Sequence, residues 1–233
     1  SGPTPLGHPV FTDIGFMAGV YQTDWSWCPL VADFDNDGLK DIIISNGLPR
    51  DVTDLDYIAY DNGQGGGKAN LSLKAANTLP VVHIPNYGFK NIDGRFFSNV
   101  TTAWGLGDAS FSNGSAYADL DNDGDLDIVV NNINSEAYIY KNTSVDAGVD
   151  FQPLVVKLKG TAPNLNAVGA SVSAYAGDKV YYAEMQPVRG YLSTVDDRLF
   201  FAIPKDQQLD SVVVQWPDGM MTVLQKIDHT KPI

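Results

Sequence analysis

The chain has 233 residues, is 44% hydrophobic and carries a formal net charge of −13. That length and apolar content suffice for one sizeable core or two smaller ones, and the acidic balance excludes nucleic acid, whose recognition needs a basic footprint. Of the 28 acidic residues all but Glu136 and Glu184 are aspartate, a bias expected where acids serve in loops and as metal ligands more than on helix faces.

In chain order, the first predicted strand opens with Phe11-Thr12-Asp13-Ile14 and is followed by a turn near Gly19. A strand through Leu30-Val31-Ala32 then runs into the acidic loop Asp33–Asp41, and the β-branched run Ile42-Ile43-Ile44-Ser45 reads as the next strand. Residues Leu48 to Pro85 form an insertion that starts with the acidic run Asp51–Asp56, read as a short helix, and passes through Gly63–Lys68. It is too long for a hairpin loop and is expected to cover one face of the sheet or reach a partner. Tyr87–Asn91 is a strand, Phe97-Ser98-Asn99-Val100 repeats the opening, Gly105 repeats the turn, and Asp119–Asp127 repeats the acidic loop. Ile128–Asn131 and Tyr138–Asn142 follow as strands.

Asp33 and Asp119 stand 86 positions apart, and the same offset pairs Phe11 with Phe97, Gly19 with Gly105, Val20 with Leu106 and Ala32 with Ala118. The first part of the chain is therefore a duplicated module. From about Leu154 the character changes. Strands are expected at Leu154–Leu158, Ala170–Tyr175, Val180–Met185, Leu199–Ile203 and Ser211–Trp216, with turns at Gly177-Asp178 and Pro217-Asp218-Gly219.

The two acidic loops carry the chemistry. Oxygens at loop positions 1, 3, 5 and 9, a carbonyl at 7 and a glycine at 6 match the all-oxygen shell of Ca2+. The first site would use the carboxylates of Asp33, Asp35, Asp37 and Asp41 and the carbonyl of Leu39. The second would use Asp119, Asp121, Asp123 and Asp127 with the carbonyl of Asp125. An EF-hand needs a Glu at position 12, where this chain has Ile44 and Val130. The ion would instead tie the two arms of a β-hairpin. So many carboxylates so close would repel one another without a cation.

The Asp-x-Asp-x-Asp-Gly-x-x-Asp loops, the Phe-x-Asp/Asn-Ile/Val openings and the aromatic-Lys-Asn strands resemble FG-GAP/VCBS repeats, the blades of calcium-binding β-propellers related to the integrin α head. The stretches Asn164–Ala170, Arg189–Ser193, Asp197–Leu199 and Val212–Gly219 resemble the ASPIC/UnbV domain, which follows such repeats in bacterial extracellular proteins and in the cartilage acidic protein family. Phe200-Phe201-Ala202-Ile203-Pro204 departs from that family's usual Phe-Gly-Leu-Gly ending. The resemblance implies an all-β chain: two calcium-binding propeller-type blades over 1–148, with the insertion 48–85 in the first, and a small antiparallel β domain over 152–228. Two blades cannot close a propeller, so the remaining blades of a longer chain are expected partners.

Catalytic patterns are missing from the sequence. His8, His83 and His229 lie in unrelated segments, Asn113-Gly114-Ser115-Ala116 fails the nucleophile-elbow pattern, and a phosphate loop at Gly63–Lys68 would need Gly at Asn62 and Ser or Thr at Ala69. The expected role is a calcium-stabilised binding, adhesion or scaffolding module with a protein or glycan ligand at the cell surface, not an enzyme, located extracellularly, on the outer surface or in the periplasm. The alternative is a glycan-binding accessory of a polysaccharide-uptake system, with Trp25, Trp27, Tyr21, Tyr57 and Tyr60 as stacking candidates against a default of core packing. Cys28, beside Trp27 and Pro29, is expected as a buried thiol. Arg189-Gly190-Tyr191 with Asp197-Arg198 is read as a turn held by an ion pair. No apolar run approaches a membrane span, so membrane insertion by this segment is not expected.

Overall fold

The β-branched runs that follow the acidic loops form the central strands of two antiparallel sheets. The computed structural model describes residues 11–51, 56, 59, 79–227 and 232–233. Most of the expected insertion, residues 52–55 of its expected short helix, the Gly63–Lys68 stretch, Tyr57, Tyr60, His8 and His229 lie outside the described residues; Asp56, at the end of that acidic run, is helical. The chain is all-β, with little helix among the described residues: the one-turn helix α1 (Gly15–Ala18) and the helical positions Asp56 and Ala59. No described helix is long and apolar enough to cross a membrane.

The first sheet contains β1 (Ser26–Ala32), β2 (Asp41–Asn46), β4 (Tyr87–Asn91) and β5 (Phe97–Asn99), in that order, with β3 (Ile84–Pro85) at the foot of the insertion. β3 pairs with β6 (Ala109–Ser110). The second sheet is β7 (Ser112–Ala118), β8 (Asp127–Asn132) and β9 (Tyr138–Tyr140). The repeat is visible in detail: β1 pairs with β2 and β7 with β8 through the same antiparallel register, and each ladder is broken by one irregularity, at Ser26/Pro29 and at Ser112/Ser115, again 86 positions apart. The insertion leaves and rejoins the sheet through a bridge between Leu48 and Val82, and Asp51 N–H donates to Pro80 O at 3.0 Å.

One expectation fails here. Phe11–Ile14 is not a strand, whereas its counterpart Phe97–Asn99 is. The difference lies in the neighbour: β5 has the edge of β4 to pair with, and Phe11–Ile14 has no described strand beside it.

The C-terminal part pairs β10 (Phe151–Lys157) with β13 (Arg198–Pro204), and sets β12 (Lys179–Glu184), β11 (Ser171–Ala176), β14 (Ser211–Gln215) and β15 (Met221–Gln225) in a second sheet. All five expected strands are present, and β15 adds a sixth. Alternate residues of these sheets, among them Leu154, Val156, Val172, Ala174, Leu199, Phe201, Val212 and Val214, close on one apolar core. A second core joins the two N-terminal sheets: Cys28, Leu30 and Ile43 from the first, Ile128 and Val130 from the second, with Val195 contributed by the C-terminal part. Cys28 is fully buried, as expected.

Candidate metal centres

Each acidic loop is a β-hairpin connection whose carboxylates are held by the loop's own backbone. In the first, Asp33 accepts N–H bonds from Asp37 (3.1 Å) and Gly38 (2.9 Å), and Asp37 accepts one from Leu39 (2.9 Å). In the second, Asp119 accepts from Asp123 (3.1 Å) and Asp123 from Asp125 (3.0 Å). Asn36 and Asn122 both take φ of 60°, while Gly38 and Gly124 follow at 88° and 97°. Two left-handed residues separated by a single aspartate fold the chain back on itself, which is why Asn and Gly occupy these positions.

The result is two sets of three convergent carboxylates, Asp33/Asp35/Asp37 and Asp119/Asp121/Asp123, with oxygens within 4.8 Å of one another in each. Either set could hold a metal ion. Oδ1 of Asp35 is buried without a hydrogen-bond partner, an acceptor of the kind that a cation would satisfy. Asp41 and Asp127, expected as ligands at position 9, lie outside the close sets. Asp41 accepts from Phe34 N–H (3.0 Å) and Asn91 N–H (2.8 Å), and Asp127 from Leu120 N–H (3.0 Å) and Asn142 N–H (2.8 Å). They clamp the loop start to the third strand of each sheet. The side chain of Asp125 is fully buried, with Oδ2 accepting from Val145 N–H at 3.2 Å and Oδ1 unpartnered.

The electrostatics record the crowding. Burial pushes Asp33 up to about 8, with Asp37, Asp41 and Asp35 adding to it against the Gly38 N–H. Burial likewise takes Asp41 to about 7 and Asp125 to about 6, and it raises Asp119. Asp121 moves the other way because Lys141 hydrogen-bonds it.

The residues that sequence reasoning missed are the cations around the loops. Lys90 pairs with Asp35 and, at 2.9 Å, with Asp37. Lys141 pairs with Asp121 at 3.0 Å and Asp146 at 3.3 Å. Each is the lysine of the aromatic-Lys-Asn strand, so the motif itself carried the signal. A lysine therefore supplies part of the counter-charge that the sequence reading assigned wholly to a bound ion. Asn142 Nδ2 also donates to Phe34 O at 2.6 Å, tying the strand after the second loop to the start of the first.

The C-terminal part seats itself on both loops. A Cβ at Gly38 would meet Tyr181 Cε1 at 2.9 Å, and one at Gly124 would meet Pro153 Cβ at 2.8 Å. Arg198 donates to Asp119 O (3.1 Å) and Asn122 Oδ1 (3.3 Å) while pairing with Asp196 and lying 5.0 Å over the Phe200 ring. The expected ion pair of the 189–198 region is thus Arg198 with Asp196; Asp197 pairs with Lys157, and Arg189 donates to Glu184 O. A cavity of about 340 Å³ lies at this junction, bordered by Asp33, Lys40, Tyr117, Tyr181, Arg189 and Phe200. Another, of about 590 Å³, opens between the loops beside Asp35, Lys90, Trp104 and Lys141. Of the aromatic candidates, Trp27 packs on Tyr191 with ring centroids 4.7 Å apart and donates to Gly47 O at 2.7 Å, the core role.

Among known families, residues 160–232 match the family described as ASPIC and UnbV. No curated protein matches the chain.

Proposed function

We propose that the chain is an extracellular, calcium-stabilised binding or adhesion module: two FG-GAP/VCBS-type blades of a β-propeller, with the ASPIC/UnbV domain packed on their calcium loops. The observation that carries this reading is the duplicated set of three carboxylates, each built by the same backbone bonds 86 residues apart. One such cluster on a surface is common; its repetition at the same loop positions, with a buried, unpartnered Asp35 oxygen in the first, favours a bound ion. Asp33, Asp35 and Asp37 would hold the first ion and Asp119, Asp121 and Asp123 the second. Asp41 and Asp127, with the carbonyls of Leu39 and Asp125, would complete the shells. A hard cation there offsets the repulsion of the carboxylates and ties two strands of a blade, so that free calcium adds to stability by mass action.

The role is binding without turnover, with a protein ligand at the cell surface and further blades as structural partners. A sugar-binding reading is less well supported, since Trp27 is committed to Tyr191. Calorimetric titration of EDTA-stripped protein with Ca2+ tests the proposal. Two sites are expected; no heat of binding would overturn it.

A further inference from the structure

The two repeats contribute the same pair of positions to one cavity, the volume of about 340 Å³ at the junction with the C-terminal half. Val31 and Tyr117 stand 86 residues apart, as do Lys40 and Leu126, and all four line it. The copies differ there in chemistry. Where the second repeat buries Leu126, the first presents the ammonium of Lys40, and where the first has Val31, the second has the phenol of Tyr117. The C-terminal wall brings Tyr181 and Glu184 of β12, Arg189 from the segment after it, and Asp196 and Phe200 at and beside β13.

Hydrogen-bonding capacity around this cavity is one-sided. Its acids are engaged: Asp33 accepts from the Asp37 and Gly38 N–H groups of its own loop, Glu184 accepts the Tyr182 hydroxyl at 2.6 Å, and Asp196 pairs with Arg198. Its donors are not. Among the described residues the Lys40 ammonium and the Tyr117 hydroxyl have no hydrogen-bond or ion-pair partner, and Arg189 makes a single bond, to Glu184 O at 3.2 Å. Arg189 is close enough for its charge to act on both Lys40 and Tyr117, so donors from three separate elements converge. With Arg198 matched by Asp196 and Asp33 turned to its own loop, Lys40 and Arg189 face the one carboxylate of Glu184. One positive charge is left over, beside the apolar surface of Val31, Leu126 and Phe200.

We infer that this cavity is a binding site for a small organic carboxylate, held by Arg189, Lys40 and Tyr117 with its apolar part against Leu126 and Phe200. A planar guanidinium with free N–H groups suits a carboxylate's two oxygens, and the ammonium and phenol add further donors. The single surplus charge matches a monoanion rather than a phosphate dianion. Ligand pockets span roughly 300–1,000 Å³, and a volume at the low end suits a metabolite-sized molecule, not a length of polymer. The site adds a small-molecule ligand to the binding role proposed above and does not need the loops to hold calcium.

Calorimetric titration of the full chain with sodium glucuronate and with N-acetylphenylalanine, each beside its uncharged analogue, glucose and N-acetylphenylalanine amide, tests it. At least one carboxylate is expected to bind with Kd of about 1 mM or tighter, and its analogue is not; the arm that binds tells an acid sugar from an acylated amino acid. Arg189→Gln and Lys40→Met are each expected to weaken binding about tenfold or more, the loss of a charge-assisted hydrogen bond. Lys159→Met, at an exposed lysine that does not border the cavity, should leave it unchanged. Far-UV circular dichroism checks the folds, and Lys40 is exposed, so its variant keeps the test open even where loss of the Arg189 bond loosens the wall. Binding of neither carboxylate, equal binding of the uncharged analogues, tighter binding of inorganic phosphate, or an Arg189→Gln/Lys40→Met double variant that binds as wild type does would overturn the inference. The titrations are run in EDTA and again in calcium, so that failure of the calcium reading shows in the calcium titration alone.

Discussion

Replacing Asp35 by asparagine isolates what an ion contributes to one loop. Without metal the change has two opposing parts. It loses the ion pair with Lys90, worth up to about 1 kcal/mol for a partly exposed pair. It also removes one carboxylate from a set whose oxygens lie within 4.8 Å, where each like-charge pair costs roughly 1 kcal/mol in a water-like medium and about 3 kcal/mol at an effective dielectric constant of 20. The metal-free variant is therefore expected to be as stable as wild type or slightly more so. With calcium at a hundredfold excess over Kd, each occupied site adds about 2.7 kcal/mol. For a chain of this size that is roughly 5–11 °C in Tm. Thermal melts of wild type, Asp35→Asn and the double variant Asp35→Asn/Asp121→Asn, each in EDTA and in calcium, give the answer. The single variant should keep about half of the calcium-induced rise, and the double variant none. If the double variant gained as much as wild type, the carboxylate triads would not be the seat of the ion.

Other outcomes follow from the same geometry. Asp33, Asp41 and Asp125 have folded pKa values of about 8, 7 and 6 against an ordinary 3.8. Raised values mean a contribution to stability that is full below pH 4 and lost as pH rises through 6 to 8, so urea midpoints of EDTA-treated protein should fall over that window for these groups. Calcium affinity should rise over the same window, since binding displaces the proton, and titrations at pH 5.5 and 8 would show it. Lys90→Met removes the cation that competes for Asp35 and Asp37; calcium should bind the first site several-fold more tightly, measured by calorimetry, while the metal-free protein loses about 1 kcal/mol. Gly38→Ala forces a side chain into φ of 88° and against Tyr181; a loss of about 1–3 kcal/mol is expected in urea unfolding.

The elements legible in the sequence were those whose cause is local. Ile42–Ser45 and Ile128–Asn131 announce strands by β-branching, and Asn36-Asp37-Gly38 announces its turn by the backbone conformations that only such residues adopt easily. The carboxylate triads were equally plain, since neighbours in one tight loop must converge. What escaped depends on partners far away in sequence. Phe11–Ile14 has the composition of its strand copy but no neighbouring edge. Lys90 reaches Asp35 across 55 residues, and Arg198 reaches Asp119 across 79. The sequence reading of an ion pair across 189–198 did not name its partners; that Asp196 serves Arg198 while Asp197 serves Lys157 turns on which of two adjacent carboxylates faces the second loop, and alternation alone does not say.

The seating of Tyr181 on Gly38 and of Pro153 on Gly124 makes the turns of the acidic loops part of a boundary between two halves. A loop that relaxes when its ion leaves would lift the floor under its neighbour. Hydrogen exchange should accordingly register calcium at amides of β12 and β10 that touch no carboxylate, and protease cuts between the halves should become faster in chelator. If the loops hold calcium as proposed, the C-terminal half is then less an appended passenger than a gauge of whether the loops beneath it are filled.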